Sequence, residues 1–168
     1  RKNDMILTPH AVIGAATAAM VPEHPALAIG VAFASHFLLD AIPHWHYQVR
    51  SIQKNKHDRI KNDMVIGKHF IADVALIGCD ALLGIGISFI IFSYFLHLPY
   101  AFILIGAIAG MLPDALQFVY WKFRHEPFTS LQRLHMRIHA SADLDDRPLL
   151  GVSSQILLMV IFVLLVLM

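Results

Sequence analysis

Charged residues and cysteines are both scarce in this sequence. Lys, Arg, Asp and Glu together make up 15% of the 168 residues, whereas hydrophobic residues make up 57%, and the mean hydropathy is +0.62. This composition is too apolar for an ordinary soluble domain and predicts an integral membrane protein. The single cysteine, Cys79, excludes an internal disulfide framework and a structural zinc site built from cysteines.

Five apolar segments predict an all-α fold, an integral membrane helical bundle with about five transmembrane or membrane-embedded helices. The bundle is expected to form a single domain over residues 1–168, with polar cytoplasmic segments at residues 44–63 and 122–148. The first helix is too short to cross a bilayer upright, and the third is long enough to protrude from it. The predicted helices run from about Thr8 to Met20, from after Pro25 to Ile42, from about Met64 to His97, from after Pro99 to about Trp121, and from Leu149 to Met168.

Basic residues are confined to one side of the predicted bundle. All thirteen Lys and Arg residues lie before the first helix, in the two polar segments or at their edges. By the positive-inside rule, this side faces the cytoplasm of a prokaryotic-type inner membrane. Anionic lipid headgroups account for the basic stretch from Arg50 to Lys61, so membrane lipids are the expected partners and no nucleic acid is expected. The sequence leaves the oligomeric state open.

The first residues raise the question of where the natural chain begins. Arg1 to Asp4 precede an internal Met5, which indicates a true beginning that is missing or processed. The first apolar segment contains His10 and has no clear cleavage site, so no cleavable signal peptide is expected.

Three pairs of metal-competent side chains recur at a spacing of four residues: His36 with Asp40, His69 with Asp73, and His135 with His139. Side chains at i and i+4 share a helix face and can bind one ion. Ionisable groups in apolar helices are costly unless they have a partner or a function. The topology brings further candidates to the same cytoplasmic level, and the full predicted metal set is His10, His36, Asp40, His44, His69, Asp73, Asp114, His135 and His139.

Mixed imidazole and carboxylate ligands favour a transition metal over magnesium or calcium. Zinc is the expected ion, with manganese or iron as alternatives. The candidate ligands outnumber those that one tetrahedral ion needs. The sequence therefore leaves two alternatives open: two or more ions, or one ion whose ligands are supported by the remaining residues. On the third helix, His69, Asp73 and Asp80 are predicted to lie on one stripe.

Two motifs resemble those of a known family. Leu112-Pro113-Asp114 ends an apolar helix, and His135-Met136-Arg137-Ile138-His139-Ala140-Ser141 follows downstream. The combination resembles small bacterial and archaeal membrane proteins known as membrane-bound metal-dependent hydrolases. These carry a Leu-Pro-Asp motif and a His-Arg-x-x-Thr-His-Ser motif; here the arginine is displaced by one position and no threonine precedes His139. The His36/Asp40 and His69/Asp73 pairs also resemble the ligands of all-helical zinc-dependent phospholipase C and nuclease proteins.

This resemblance implies metal-dependent hydrolysis of a phosphoester, such as a phospholipid or another amphiphilic phosphate, at the cytoplasmic membrane face. Asp80 or Glu126 is the expected proton acceptor, and Arg124, Arg133 and Arg137 are the expected phosphate clamps. Two alternatives stay open. Intramembrane Asp and His residues also mark ion pathways, which would suit a divalent-metal or proton transporter, and a metal can simply staple short helices into a scaffold.

Overall fold

The computed structural model describes residues 4–140, 142 and 144–168, and of residues 4 and 5 it describes the backbone. The fold is 70% helical, which confirms the all-α prediction. Seven α-helices occur in the described part of the chain: α1 (Thr8–Ala19), α2 (Pro25–Asp40), α3 (Phe70–Ser88), α4 (Tyr94–Leu96), α5 (Tyr100–Lys122), α6 (Phe128–Ile138) and α7 (Pro148–Leu167). A π-helical turn, Phe89–Ser93, joins α3 to α4, so that these elements form one continuous helix over Phe70–Leu96.

Three helices are long and apolar enough to cross a membrane. They are Phe70–Leu96, Tyr100–Lys122 and Pro148–Leu167. Helix α2 is apolar but shorter, with 16 residues, and α1 has only 12. Because about 20 residues are needed to span the hydrocarbon core, length alone supports a membrane crossing for three helices and not for all five predicted ones.

Helix α1 occupies the centre of the fold. All twelve of its residues are buried, and it packs against α2, α3, α5 and α7. Small residues make this position possible, because glycine and alanine allow helix backbones to approach closely. A Cβ atom added at Gly14 would lie 2.6 Å from the backbone oxygen of Gly106 and 2.8 Å from the Cα of Gly110. The glycines at the crossing of α1 and α5 therefore set how closely the two helices pack.

Four short strands lie before α1 and between α2 and α3, at the end of the bundle where α3 begins. Strand β1 (Asp4–Met5) pairs antiparallel with β2 (Tyr47–Gln48), and β3 (Ile52–Gln53) pairs antiparallel with β4 (Asp63–Met64). The pairing of β4 explains why the third helix begins at Phe70 and not near Met64 as predicted. Met64 is engaged in the strand pair, and Gly67, a poor helix former, precedes the helix.

The second polar segment contains an additional helix. Helix α6 has a strongly polar face and an apolar face, and it packs against α2 and α5. His135 lies near its end and is buried, and His139 is its C-terminal cap residue. This packing carries the predicted His135/His139 pair to the ends of α2 and α5. Ser141 of the sequence motif, with the basic residues Arg1 and Lys2, lies outside the described residues.

Candidate metal centre

Four helices and one loop bring histidines and aspartates together in one buried region. His10 comes from α1, His36 and Asp40 from α2, Asp114 from α5, and His135 from α6. Two histidines from the loop that follows α2, His44 and His46, and one from the end of α6, His139, extend the group. Asp40 is at the centre and is only 3% exposed. An isolated carboxylate buried to this degree is costly, so its charge needs close cationic or polar partners.

The Oδ2 atom of Asp40 faces two imidazole rings. It lies 3.1 Å from Nε2 of His36 and 2.6 Å from Nε2 of His135. These two nitrogens are themselves 3.3 Å apart. Asp114 approaches from α5, with its Oδ1 atom 3.7 Å from Nε2 of His36 and 3.9 Å from Nε2 of His135. The donor atoms of His36, Asp40 and His135 therefore surround a common point.

The other carboxylate oxygen of Asp40 faces a second pair of imidazoles. Oδ1 lies 3.4 Å from Nε2 of His10 and 3.8 Å from Nε2 of His44. The side chain of Asp40 is thus shared between two groups of ligands, one on each oxygen. His10 also belongs to a group with His36 and Asp114, and its ring stacks on that of His36 with a centroid separation of 4.1 Å.

His44 also belongs to a further group, which consists of three histidines. His44, His46 and His139 present nitrogens that lie within 4.8 Å of one another. The ring centroids of His44 and His46 are 4.2 Å apart, and that of His139 lies 5.5 Å from His44 and 5.6 Å from His46. Three imidazoles gathered in this way match the ligand chemistry of zinc and related transition metals.

Outer hydrogen bonds hold several of these imidazoles by the nitrogen that faces away from the cluster. Nδ1 of His36 is 3.0 Å from the carbonyl oxygen of Gly110, and Nδ1 of His44 is 2.7 Å from that of Ile42. Nδ1 of His139 is 3.2 Å from the carbonyl oxygen of Ala140. A carbonyl only accepts, so each Nδ1 donates, and in a neutral ring Nε2 then keeps its lone pair for a metal.

His46 is held by a carboxylate. Its Nδ1 lies 3.2 Å from Oδ1 of Asp145, which also accepts the backbone N–H of His46. Burial and the neighbouring His44 lower the pKa of His46 to about 4. Burial likewise lowers the pKa of His139. Both rings are therefore neutral at neutral pH, the form that binds metal ions.

One imidazole nitrogen of the cluster is buried and has no hydrogen-bond partner among the described residues. This atom is Nδ1 of His10, whose ring is almost completely buried. Because a buried polar atom without a partner is costly, its retention points to a ligand or solvent molecule at this position. The ligand types, their burial and this unpartnered nitrogen all fit a bound divalent ion.

The structure does not bring His69 and Asp73 into the cluster, contrary to their predicted convergence with His36 and Asp40. No ligand group formed by the described residues includes either of them. The carboxylate of Asp73 accepts the backbone N–H of Ser51 at 2.6 Å, and His69 is the N-terminal cap residue of α3. Asp73 therefore faces the loop around Ser51, and this orientation follows from the packing of α3 against α1.

Asp80, which was predicted as a possible proton acceptor, is held by hydrogen bonds outside the cluster. Its carboxylate accepts hydrogen bonds from the backbone N–H groups of Leu7 and Thr8 and from the hydroxyl groups of Thr8 and Tyr47. It therefore binds the N-terminus of α1, where the free N–H groups and the helix dipole favour a negative charge. Burial, followed by the charge of Asp80, raises the pKa of Tyr47.

The remaining predicted catalytic residues lie at the surface. Glu126 is exposed, and hydrogen bonds from the side chain and then from the backbone N–H of Ser130 lower its pKa. Arg124 donates to the backbone oxygen of Asn62 at 3.1 Å. Arg133 and Arg137 are exposed on α6. Each lies two residues from His135 in the sequence, which corresponds to about 200° around the helix. These two arginines thus share the face of α6 opposite the buried histidine.

Sequence reasoning missed His46 and Asp145. A signal for His46 was present, because His44 and His46 alternate in a short segment that leads into β2, and alternate residues of an extended chain point to the same side. Asp145 carried no such signal, since it lies 99 residues from His46 in a polar segment. Only the tertiary fold brings the two side chains together.

The fold and the site define a class: an all-α protein with three helices able to cross a membrane, which suggests a membrane protein, and buried His/Asp groups that could hold a metal ion. Comparison of the chain with protein-family models, with curated proteins and with solved structures found no match.

Proposed function

We propose that this protein is a membrane-embedded, metal-dependent hydrolase that acts on a phosphoester at the cytoplasmic face of the membrane. The observation that carries the proposal is the position of Asp40, whose two oxygens each face a separate pair of imidazole nitrogens at 2.6–3.8 Å. Asp40 would hold divalent ions together with His36 and His135 on one oxygen and His10 and His44 on the other. Zinc fits the imidazole-rich donors best, and manganese or iron would fit the same groups.

Divalent ions at such a site supply Lewis acidity, which acidifies water and polarises a phosphoryl oxygen. The residues of this chain hold the ions and orient the substrate. Asp114 borders both the cluster and an adjoining cavity and is 12% exposed. It is therefore better placed than Asp80 or Glu126 to exchange a proton with a molecule that enters the site, because Asp80 is bound to the start of α1 and Glu126 lies in solvent.

The proposal includes the arrangement in the membrane. Helices α1 and α2 would be embedded beside the three longer helices, since α1 is surrounded by α2, α3, α5 and α7. The ends of the helices that carry Asp40 and Asp114, and the start of α3, lie on the side rich in Lys and Arg, which the positive-inside rule assigns to the cytoplasm. An amphiphilic phosphoester would reach the site from the bilayer.

The test begins with metal content. Protein purified without chelator should carry at least one equivalent of zinc, manganese or iron, and Asp40→Asn should lose most of it, because one carboxylate serves both groups of ligands. His24→Ala is the matched control, since His24 is exposed and lies at the opposite end of the bundle. With metal added, the wild type should hydrolyse phosphatidic acid or bis(p-nitrophenyl) phosphate, and Asp40→Asn should reduce kcat at least a hundredfold.

Two results would contradict the proposal. Less than one equivalent of metal in the wild type would exclude the metal centre. Uptake of metal into proteoliposomes, without turnover of any ester, would favour a transporter that uses the same buried residues.

A further inference from the structure

An apolar cavity of about 450 Å³ lies between α3 and α5. On α3 its lining includes Val74, Ile77 and Ala81, which recur every three to four residues and so form one stripe of the helix. On α5 the lining includes Ile108, Met111 and Asp114. Asp114 is the one charged residue among the described residues that line the cavity. The volume of the cavity falls in the range of about 300–1,000 Å³ that is typical of small-molecule sites.

Asp114 connects the lining of the cavity to the candidate metal centre. Oδ1 of this residue lies 3.7 Å from Nε2 of His36 and 3.9 Å from Nε2 of His135. The same carboxylate therefore belongs to the cavity wall and to the metal cluster. From Phe70 to Ala81 the lining extends over twelve residues of α3, or about 16 Å along the helix axis.

The flanks of the cavity lie on helices that are able to cross a membrane. Val74 on α3 is 45% exposed, and Ile108 and Leu112 on α5 are 46% and 36% exposed. Because both helices are apolar enough to span the bilayer, these side chains would face lipid, and the cavity would open sideways into the hydrocarbon. A molecule could then reach Asp114 without leaving the membrane.

Size and chemistry decide what could occupy this space. One turn of an α-helix with its side chains fills roughly 400 Å³, given a diameter of about 10 Å and a pitch of about 5.4 Å. The cavity would thus hold only a single turn of a partner helix, far less than a membrane-crossing segment needs. A hydrocarbon chain is narrow and flexible, fits an apolar lining, and is the most abundant neighbour of these helices in a bilayer.

We propose that this cavity binds the hydrocarbon next to the head group of a phospholipid and so holds its phosphoester beside Asp114 and the histidine cluster. The inference rests on the proposed function and specifies its substrate class. Because Asp114 and Asp40 repel an anionic phosphate, binding of the head group requires the metal-loaded site. The rest of the lipid stays in the bilayer.

Photo-crosslinking tests the cavity directly and needs no turnover. The protein is placed in phosphatidylcholine vesicles that contain a small fraction of phosphatidic acid with a diazirine on its chain near the head group. After illumination, mass spectrometry should find label on Val74, Ile77 or Met111, and unlabelled phosphatidic acid should compete it away. Label on the exposed lipid-facing residues of α7, such as Leu157 and Leu164, should not respond to the competitor.

A filled cavity provides the matched variants. Val74→Trp places a large ring in the groove and should lower cavity labelling at least tenfold. Leu83→Trp is the control, because Leu83 is 58% exposed, is not part of the lining, and lies nine residues further along α3, about 180° around the helix. Removal of the metal with a chelator should lower the competition by phosphatidic acid while inorganic phosphate does not compete at equal concentration.

The outcomes separate this inference from the proposed function. Cavity labelling that is no stronger than that of α7, or that survives both competitor and Val74→Trp, overturns the lipid site even if the protein hydrolyses esters. If inorganic phosphate competes as well as the lipid, the site recognises the phosphate alone and the lipid-chain assignment is wrong. Conversely, specific labelling in a protein that hydrolyses neither phosphatidic acid nor bis(p-nitrophenyl) phosphate would overturn the hydrolase and keep the lipid site.

Discussion

The orientation of individual imidazole rings is what makes the cluster suitable for metal. In His36, His44 and His139 a backbone carbonyl accepts from Nδ1, and in His46 the carboxylate of Asp145 does so. Each ring therefore presents Nε2 toward its neighbours. Metal-binding histidines are commonly held in this way, with the outer ring N–H donated to a carbonyl or a carboxylate.

His46 and Asp145 allow a test at the level of single residues. If the group of His44, His46 and His139 holds an ion, His46→Ala should remove about one equivalent of metal, because the two remaining histidines of that group are too few ligands for a closed site. Asp145→Asn should keep the ion but weaken its affinity about 10–100-fold, the usual cost of losing an outer carboxylate. Metal analysis and competition with a chromophoric chelator measure both effects.

His125→Ala is the control for these variants, because His125 is an exposed histidine in the same polar segment as His139. Retention of the full metal content by His46→Ala would show that the group of His44, His46 and His139 binds no ion. The centre around His36, Asp40 and His135 would be unaffected by that result.

At the level of elements, the crossing of α1 and α5 depends on glycine. A Cβ atom at Gly110 would collide with the backbone oxygen of His10 and lie 2.9 Å from the Cα of Gly14. Since the neighbour is backbone, the helices would have to move apart. Gly110→Ala should therefore lower the free energy of unfolding by about 1–3 kcal/mol, the usual cost of overpacking. Because His10 and Asp114 lie on these helices, metal content should fall as well.

Gly30→Ala supplies the comparison, since Gly30 lies within α2 and a Cβ atom there meets no other atom within 4 Å. Alanine is the better helix former by about 1 kcal/mol, so this variant should be neutral or slightly more stable. Thermal or denaturant unfolding in detergent compares the two. Equal stabilities of the two variants would contradict the role given to the glycines of α1 and α5.

Hydropathy predicted the helices well because apolar length is a local property of the sequence. All five predicted segments are helical, and the start of the third differs by six residues, where β4 replaces the predicted first turn. Helix α6 lies in a segment that was predicted only as polar, where the four-residue spacing of His135 and His139 fits a helix. Its polar composition gives no hydropathy signal, whereas its amphipathic pattern fits a helix that packs at the edge of the bundle.

At the level of the whole molecule, topology explains why much of the cluster was predictable and one pair was misplaced. Counting helices and basic residues was enough to bring His10, Asp40, Asp114 and His135 to one end. The rotation of α3 was not predictable in this way. It follows from a close approach in which a Cβ atom at Gly84 would lie 2.9 Å from the Cα of Thr8, and this packing directs Asp80 toward the start of α1.

The orientation of the whole molecule in the membrane can be tested with single cysteines, because the chain contains only Cys79. In a Cys79→Ala background, Glu23→Cys and Tyr100→Cys mark the turns between α1 and α2 and before α5, and Lys56→Cys marks the polar segment after α2. All three positions are exposed in the fold. If the basic side is cytoplasmic, a membrane-impermeant maleimide should label Glu23→Cys and Tyr100→Cys in intact cells, but Lys56→Cys only after permeabilisation.

The reverse pattern would place the metal cluster outside the cell. Labelling of Tyr100→Cys without labelling of Glu23→Cys would mean that α1 and α2 form a hairpin that enters and leaves the membrane on the cytoplasmic side. This alternative is the most important one to test, because α1 has only 12 residues and is too short to cross the bilayer upright.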